Sequence, residues 1–121
     1  MNWMFPAVVP AMDRIDQMTE FAVAALLENG DGWRRVARDL VARWPDVPPL
    51  EIAFVLSTAA EAIGDLFMPE DSAGAPGRVA WRLAALVASD VYAMQRLGLP
   101  SATAADLMAY WREHDPYFLR L

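Results

Sequence analysis

The sequence predicts an all-α fold, a compact bundle of about five helices with no sheet. Three observations carry that expectation. Apolar residues recur at helical spacing along most of the chain, proline and glycine fall at intervals that suit helix ends, and no stretch alternates with the period of a strand. The helices are expected over about 13–29, 32–44, 49–68, 76–97 and 104–114, in a single domain of 121 residues.

Each element has its own signals. Asp13 is placed to cap a first helix that ends near Gly30. In the second helix, Trp33, Val36, Ala37, Leu40, Val41 and Trp44 share one face, while Arg34, Arg35, Arg38, Asp39 and Arg43 share the other, and Pro45 stops it. Pro48 or Pro49 suits the first turn of the third helix, which ends before Pro69. Its only polar stripe is a narrow arc of Glu51, Thr58, Glu61 and Asp65. Residues 69–77 read as the one long, small-residue loop. The fourth helix carries a similar narrow stripe of Arg78, Arg82, Ser89 and Arg96, with Gly98 as its C-terminal cap and Pro100 beyond. Thr103 and Asp106 have capping-box spacing and start the fifth helix, which reaches His114 before Pro116.

Composition narrows the class. Ala, Val, Ile, Leu, Met, Phe, Trp and Gly make up 71 of the 121 residues, above the ~45–50% usual for a soluble domain. That excess argues against disorder. The absence of cysteine excludes a disulfide scaffold and any cysteine-ligated metal or redox site. A net charge of −6 argues against broad binding to nucleic acid or to an anionic membrane surface. All ten basic residues are arginine and 22 residues are alanine, as expected of a high-GC, bacterial coding bias. The N-terminus lacks the basic flank of a secretory signal, and the longest charge-free helical run, 52–60, falls far short of the ~20 residues that span a bilayer. A cytoplasmic protein with no membrane contact is expected.

Candidate chemistry is sparse. His114 is the only histidine, none of the four serines lies in a nucleophile elbow, and a histidine at a helix C-terminus is explained by the helix dipole. Glu61 and Asp65 are four apart, but a di-metal carboxylate site needs two Glu-x-x-His pairs. No metal and no cofactor is therefore expected, and the stripe is read as pairing with Arg78, Arg82 or Arg96. The triplet GDG at 30–32 lacks phosphate-loop spacing. A helix-turn-helix reading would put helix three, with three acids and no base, against phosphate, so nucleic-acid binding is not expected. Asp90 is the odd residue: it falls beside Val79, Leu83, Leu86 and Leu97, where a carboxylate is costly unless paired. It needs an arginine from another helix, a subunit contact, or a role as an acid in a pocket.

Net charge alternates from helix to helix. Residues 13–30 and 49–68 each sum to −3, and residues 32–44 and 78–97 sum to +3 and +2, as mutual neutralisation between neighbours requires. Trp33, Trp44, Trp81 and Trp111 occupy apolar helical positions and are expected in the core. Trp3, Met4 and Phe5 before helix one, and Tyr117, Phe118, Leu119 and Leu121 after helix five, lie outside any helical stripe and need cover.

These features point to a small helical protein that acts through protein–protein contacts as a homodimer. Helix three or four and the chain ends would supply the subunit surface, and Arg34, Arg35, Arg38 and Arg43 would face an acidic protein partner. The alternative is a small-molecule-binding protein or enzyme with a pocket between helices three and four, with Asp90, Glu61 or Asp65 as its polar group and residues 69–77 as a lid.

Overall fold

Helical periodicity and punctuation translate directly into structure. The computed structural model describes residues 9–28, 31–66 and 75–121. Among these, six α-helices and one 3₁₀ turn follow in order: α1 (Val9–Leu27), the turn (Gly32–Arg34), α2 (Val36–Arg43), α3 (Pro49–Leu66), α4 (Ala75–Arg96), α5 (Ala104–Glu113) and α6 (Tyr117–Arg120). No strand occurs among the described residues.

An antiparallel hairpin of α3 and α4 forms the centre. Its buried surface combines large side chains (Ile52, Leu56 and Ile63 on α3, Leu83, Val87, Val91 and Met94 on α4) with small ones, Ala53, Ala59, Ala60, Ala80 and Ala84. The small residues let the two backbones come close. A Cβ added at Gly77 would lie only 3.3 Å from the Ala60 carbonyl oxygen. Helix α1 covers one side of α3 through Met18, Ala22 and Leu26. A bidentate ion pair ties the two helices, with Arg14 donating to Glu51 at 2.8 and 3.0 Å. Glu51 therefore turns to α1 and not to the arginines of α4 that its stripe was expected to meet.

Local signals place most boundaries. Gly98 adopts φ +71°, the left-handed conformation that glycine takes without a Cβ penalty. Around it, Leu99 N–H donates to Met94 O at 2.9 Å and Gly98 N–H to Gln95 O at 3.1 Å, the double bond of a Schellman ending. Gly98→Ala is expected to cost about 1 kcal/mol, a fall in Tm of about 4 °C for a domain of this size, read by thermal circular dichroism. The capping box also forms: Asp106 N–H donates to Thr103 Oγ1, and Thr103 N–H to Asp106 Oδ2. The two preceding free amides of α5, Ala104 and Ala105, donate to Val47 O and Pro45 O at 2.7 and 2.9 Å. The turn between α2 and α3 thus satisfies the donors that every helix start leaves open.

Four boundaries differ from the sequence reading. Helix α1 begins at Val9, one turn before Asp13, because Pro10 is tolerated in a first turn that needs no N–H partner. It ends at Leu27, and residues 29 and 30 lie outside the described ones. The second helix is split. Gly32 is buried against the backbone of α1, the chain tightens into the 3₁₀ turn there, and Arg35 at φ −116° separates that turn from α2. Helix α4 starts at Ala75, which shortens the expected loop; its residues 69–74, with 67 and 68, lie outside the described ones.

The C-terminal segment forms a short helix that the sequence reading lacked. Pro116 opens α6, and Phe118, 1% exposed, packs on Trp111 with ring centroids 4.7 Å apart. Leu119 and Leu121 lie partly buried against the core. Three of the four apolar residues of this end are thus covered at least in part by their own chain, while Tyr117 stays exposed. Trp3, Met4 and Phe5 lie outside the described residues.

Candidate functional site

Asp90 projects from the buried side of α4 and is 9% exposed, the one polar or charged side chain among the described buried residues. Its partner is not an arginine. The indole of Trp111, fully buried on α5, donates its Nε1–H to Asp90 Oδ2 at 2.9 Å. The carboxyl of Asp115, on the link between α5 and α6, also interacts with Asp90. Burial pushes the Asp90 carboxyl up to about 6 from its ordinary value of 3.8; the Trp111 bond opposes the rise and Asp115 adds to it. Nearby, Tyr110 has its phenol raised by burial and by the charges of Asp90 and Asp115. Burial and the neighbouring carboxylate both favour the protonated form of Asp90.

Asp115 also shapes the chain end. Its Oδ1 accepts the Tyr117 N–H at 3.3 Å, so the same side chain that interacts with Asp90 caps the start of α6. His114, the C-cap of α5, is exposed, stacks on Tyr110 at 5.6 Å and lies 4.0 Å from Glu113. A cavity of about 60 Å³ between Leu99, Tyr110 and His114 has room for water alone; ligand sites typically need several hundred Å³.

Of the other residues singled out, Glu61 is exposed on α3, and the side chain of Asp65 lies outside the described ones. Helices α3 and α4 meet closely at Gly77, and the larger depressions lie elsewhere, beside Phe21 and Trp44 and around Asp115 and Arg120. Among the described residues no group of three or more His, Asp or Glu comes together as a metal site would require. The four arginines do not form one helix face. Arg34 and Arg35 precede α2, and Arg34 pairs with Asp31 at 3.3 Å and covers Trp33. Arg38 is half-buried, and Arg43 stacks on Phe21 and Trp44, which meet edge to face.

The outer surface of the α3–α4 hairpin is more distinctive. Leu50 and Phe54 on α3 and Trp81 and Tyr92 on α4 are each more than half exposed, or half in the case of Trp81. Trp81 is thus not the core residue its spacing suggested. The seat of Gly77 against Ala60 and Ile63 sets the antiparallel register. Leu50 and Phe54, four apart, share one face of α3, and Trp81 and Tyr92, eleven apart, share one face of α4. Both helices of the hairpin thus present large apolar side chains outward, with the small, exposed Ala85 between Trp81 and Tyr92 on α4.

The sequence signal for Asp90 was its apolar surroundings. Its partners were missed, although an indole on the apolar face of the next helix is one of few buried groups with a donor to offer. Searches against family models, curated proteins and solved structures find no match for this chain.

Proposed function

We propose that the protein works by protein–protein contact, as a homodimer joined through the outer strip of the α3–α4 hairpin. The exposure of Leu50 and Phe54 on α3 and of Trp81 and Tyr92 on the adjoining α4 supports this reading above any other observation. Large apolar side chains gathered on one face, rather than scattered singly, mark contact surfaces. Aromatic residues are the usual anchors of such surfaces.

The pattern along α4 is self-complementary. When two copies of α4 cross antiparallel about a two-fold axis near Leu86, Trp81 of one copy meets Tyr92 of the other and Ala85 meets Ala88. Large faces large only at the two ends, and the alanines allow close approach between them. Arg78 then falls opposite Gln95 and Arg82 opposite Val91, so no two arginines are forced together. Such pairing of a patch with itself is what a two-fold dimer requires.

Light scattering coupled to gel filtration tests the reading. At about 50 μM, well above the micromolar dissociation constants of weak dimers, the wild-type chain is expected at twice its 13.4 kDa mass. Trp81→Glu is expected at the monomer mass with an unchanged helical spectrum, since a half-exposed side chain contributes little to the fold. A wild-type chain that runs as a monomer at that concentration overturns the reading.

A further inference from the structure

A second feature of the fold concerns the chain end and not the hairpin face. We propose that the buried Asp90 carboxyl, set against Asp115, latches the C-terminal helix α6 onto the bundle, closed while Asp90 is protonated and loosened when it is ionised.

The geometry joins four groups. Asp90 is buried and already accepts the Trp111 indole N–H on Oδ2. Trp111 in turn forms the floor on which Phe118 of α6 packs. Asp115 interacts with Asp90 and caps the first turn of α6 through Tyr117 N–H. A proton on Asp90 makes their contact a hydrogen bond. Without it, two negative charges face each other beside a buried indole, and Asp115, on a link and half-exposed, is the member free to move. Its displacement carries Pro116 and α6 away from Trp111.

Among the described residues no cation forms an ion pair with either carboxyl. The ion pairs Arg14–Glu51, Arg34–Asp31 and Glu113–His114 all lie elsewhere. Arg38 of α2, Arg112 of α5 and Arg120 of α6 pair with neither carboxyl. Tyr110 and Trp111 face the site from α5, and α6 contributes Phe118. The buried side of α3 is apolar, with Ile52, Val55 and Leu56. On α1, Arg14 is committed to Glu51.

The direction of the response follows. The docked form keeps a proton on Asp90 up to about pH 6, whereas a solvated aspartate gives it up near 3.8. Docking is therefore firmest on the acid side and weakens as the pH rises from about 4 through 6. A gap of about two pKa units sets an upper limit of about a hundredfold on the change in the opening equilibrium.

Hydrogen exchange of the segment 115–121, corrected for intrinsic rates and followed by mass spectrometry from pH 5 to 7.5, reads this equilibrium. Wild type is expected to open progressively more across pH 6. Asp90→Asn is expected to stay protected and show no such rise, because its amide oxygen still accepts from Trp111 and its N–H₂ donates to Asp115. Asp115→Asn, which removes the repulsion from the other side, is expected to be equally flat. His114 is present in all three proteins, so its own response cancels in the comparison. A wild-type segment whose opening does not change across pH 6, or either variant that follows the wild-type profile, overturns the latch.

Discussion

Gly32→Ala is expected to leave the protein unfolded or close to it at room temperature. Gly32 is buried in the turn between α1 and α2, and a Cβ there would overlap the Ala25 carbonyl oxygen. That oxygen belongs to the backbone of α1, so no side chain can swing aside. Relief requires the whole turn to move off α1, and with it Val36, which is fully buried directly after the turn. Strain of this kind belongs to the severe tail of point mutations, above about 4 kcal/mol, against a total stability of about 5–15 kcal/mol for a domain. Gly64→Ala is the internal control. Gly64 is exposed in α3 with nothing within 4 Å of its added Cβ, so alanine there is expected to add about 0.5–1 kcal/mol. Urea unfolding followed by circular dichroism measures both, and a Gly32→Ala protein within 1 kcal/mol of wild type would falsify the close approach.

The second large effect is expected at Trp111. Trp111→Ala removes a fully buried indole that packs on Phe118, a loss of about 3–5 kcal/mol. Trp111→Phe is more informative. It keeps a smaller ring against Phe118 and deletes the donor to Asp90 Oδ2. An orphaned buried acceptor costs about 1–3 kcal/mol, more when it is charged. The Trp111 bond favours the ionised form of Asp90, so its loss should drive that carboxyl further above about 6. The stability gap between wild type and Trp111→Phe should consequently be wider at pH 7.5 than at pH 5. Denaturation at the two pH values measures the gap, and a gap of equal size at both would show that packing alone accounts for the loss.

Much of the helical framework was legible in the chain. Gly98 and the Thr103–Asp106 pair are signals that act within one helical turn, and both formed where their spacing placed them. The start of α1 was misread because a proline in a first turn is compatible both with entering a helix and with preceding one. Helix α6 was missed because a four-residue helix has no periodicity to detect, only the Pro116 that opens it and the Phe118 that anchors it.

The candidate sites were legible in part. Asp90 stood out because a carboxylate among apolar neighbours demands a partner, yet the partners lie on another helix and on the link beyond it. Trp81 and Trp111 occupy similar apolar stripes, but the first is half exposed and the second fully buried. On a helix that is apolar nearly all round, spacing does not say which side faces the core.

What the sequence determined on its own is therefore the local layer: all-α class, helix ends set by proline, glycine and caps, and a chain rich enough in alanine to pack helices closely. These depend on contacts three to five residues apart, which a linear reading contains. The tertiary structure alone decided which flank of α3 and α4 stays outside, why position 32 must be glycine, and that Asp90 is held by Trp111 and Asp115. Those outcomes depend on which helices come to lie side by side, and the nearest of Asp90's partners is 21 residues away along the chain.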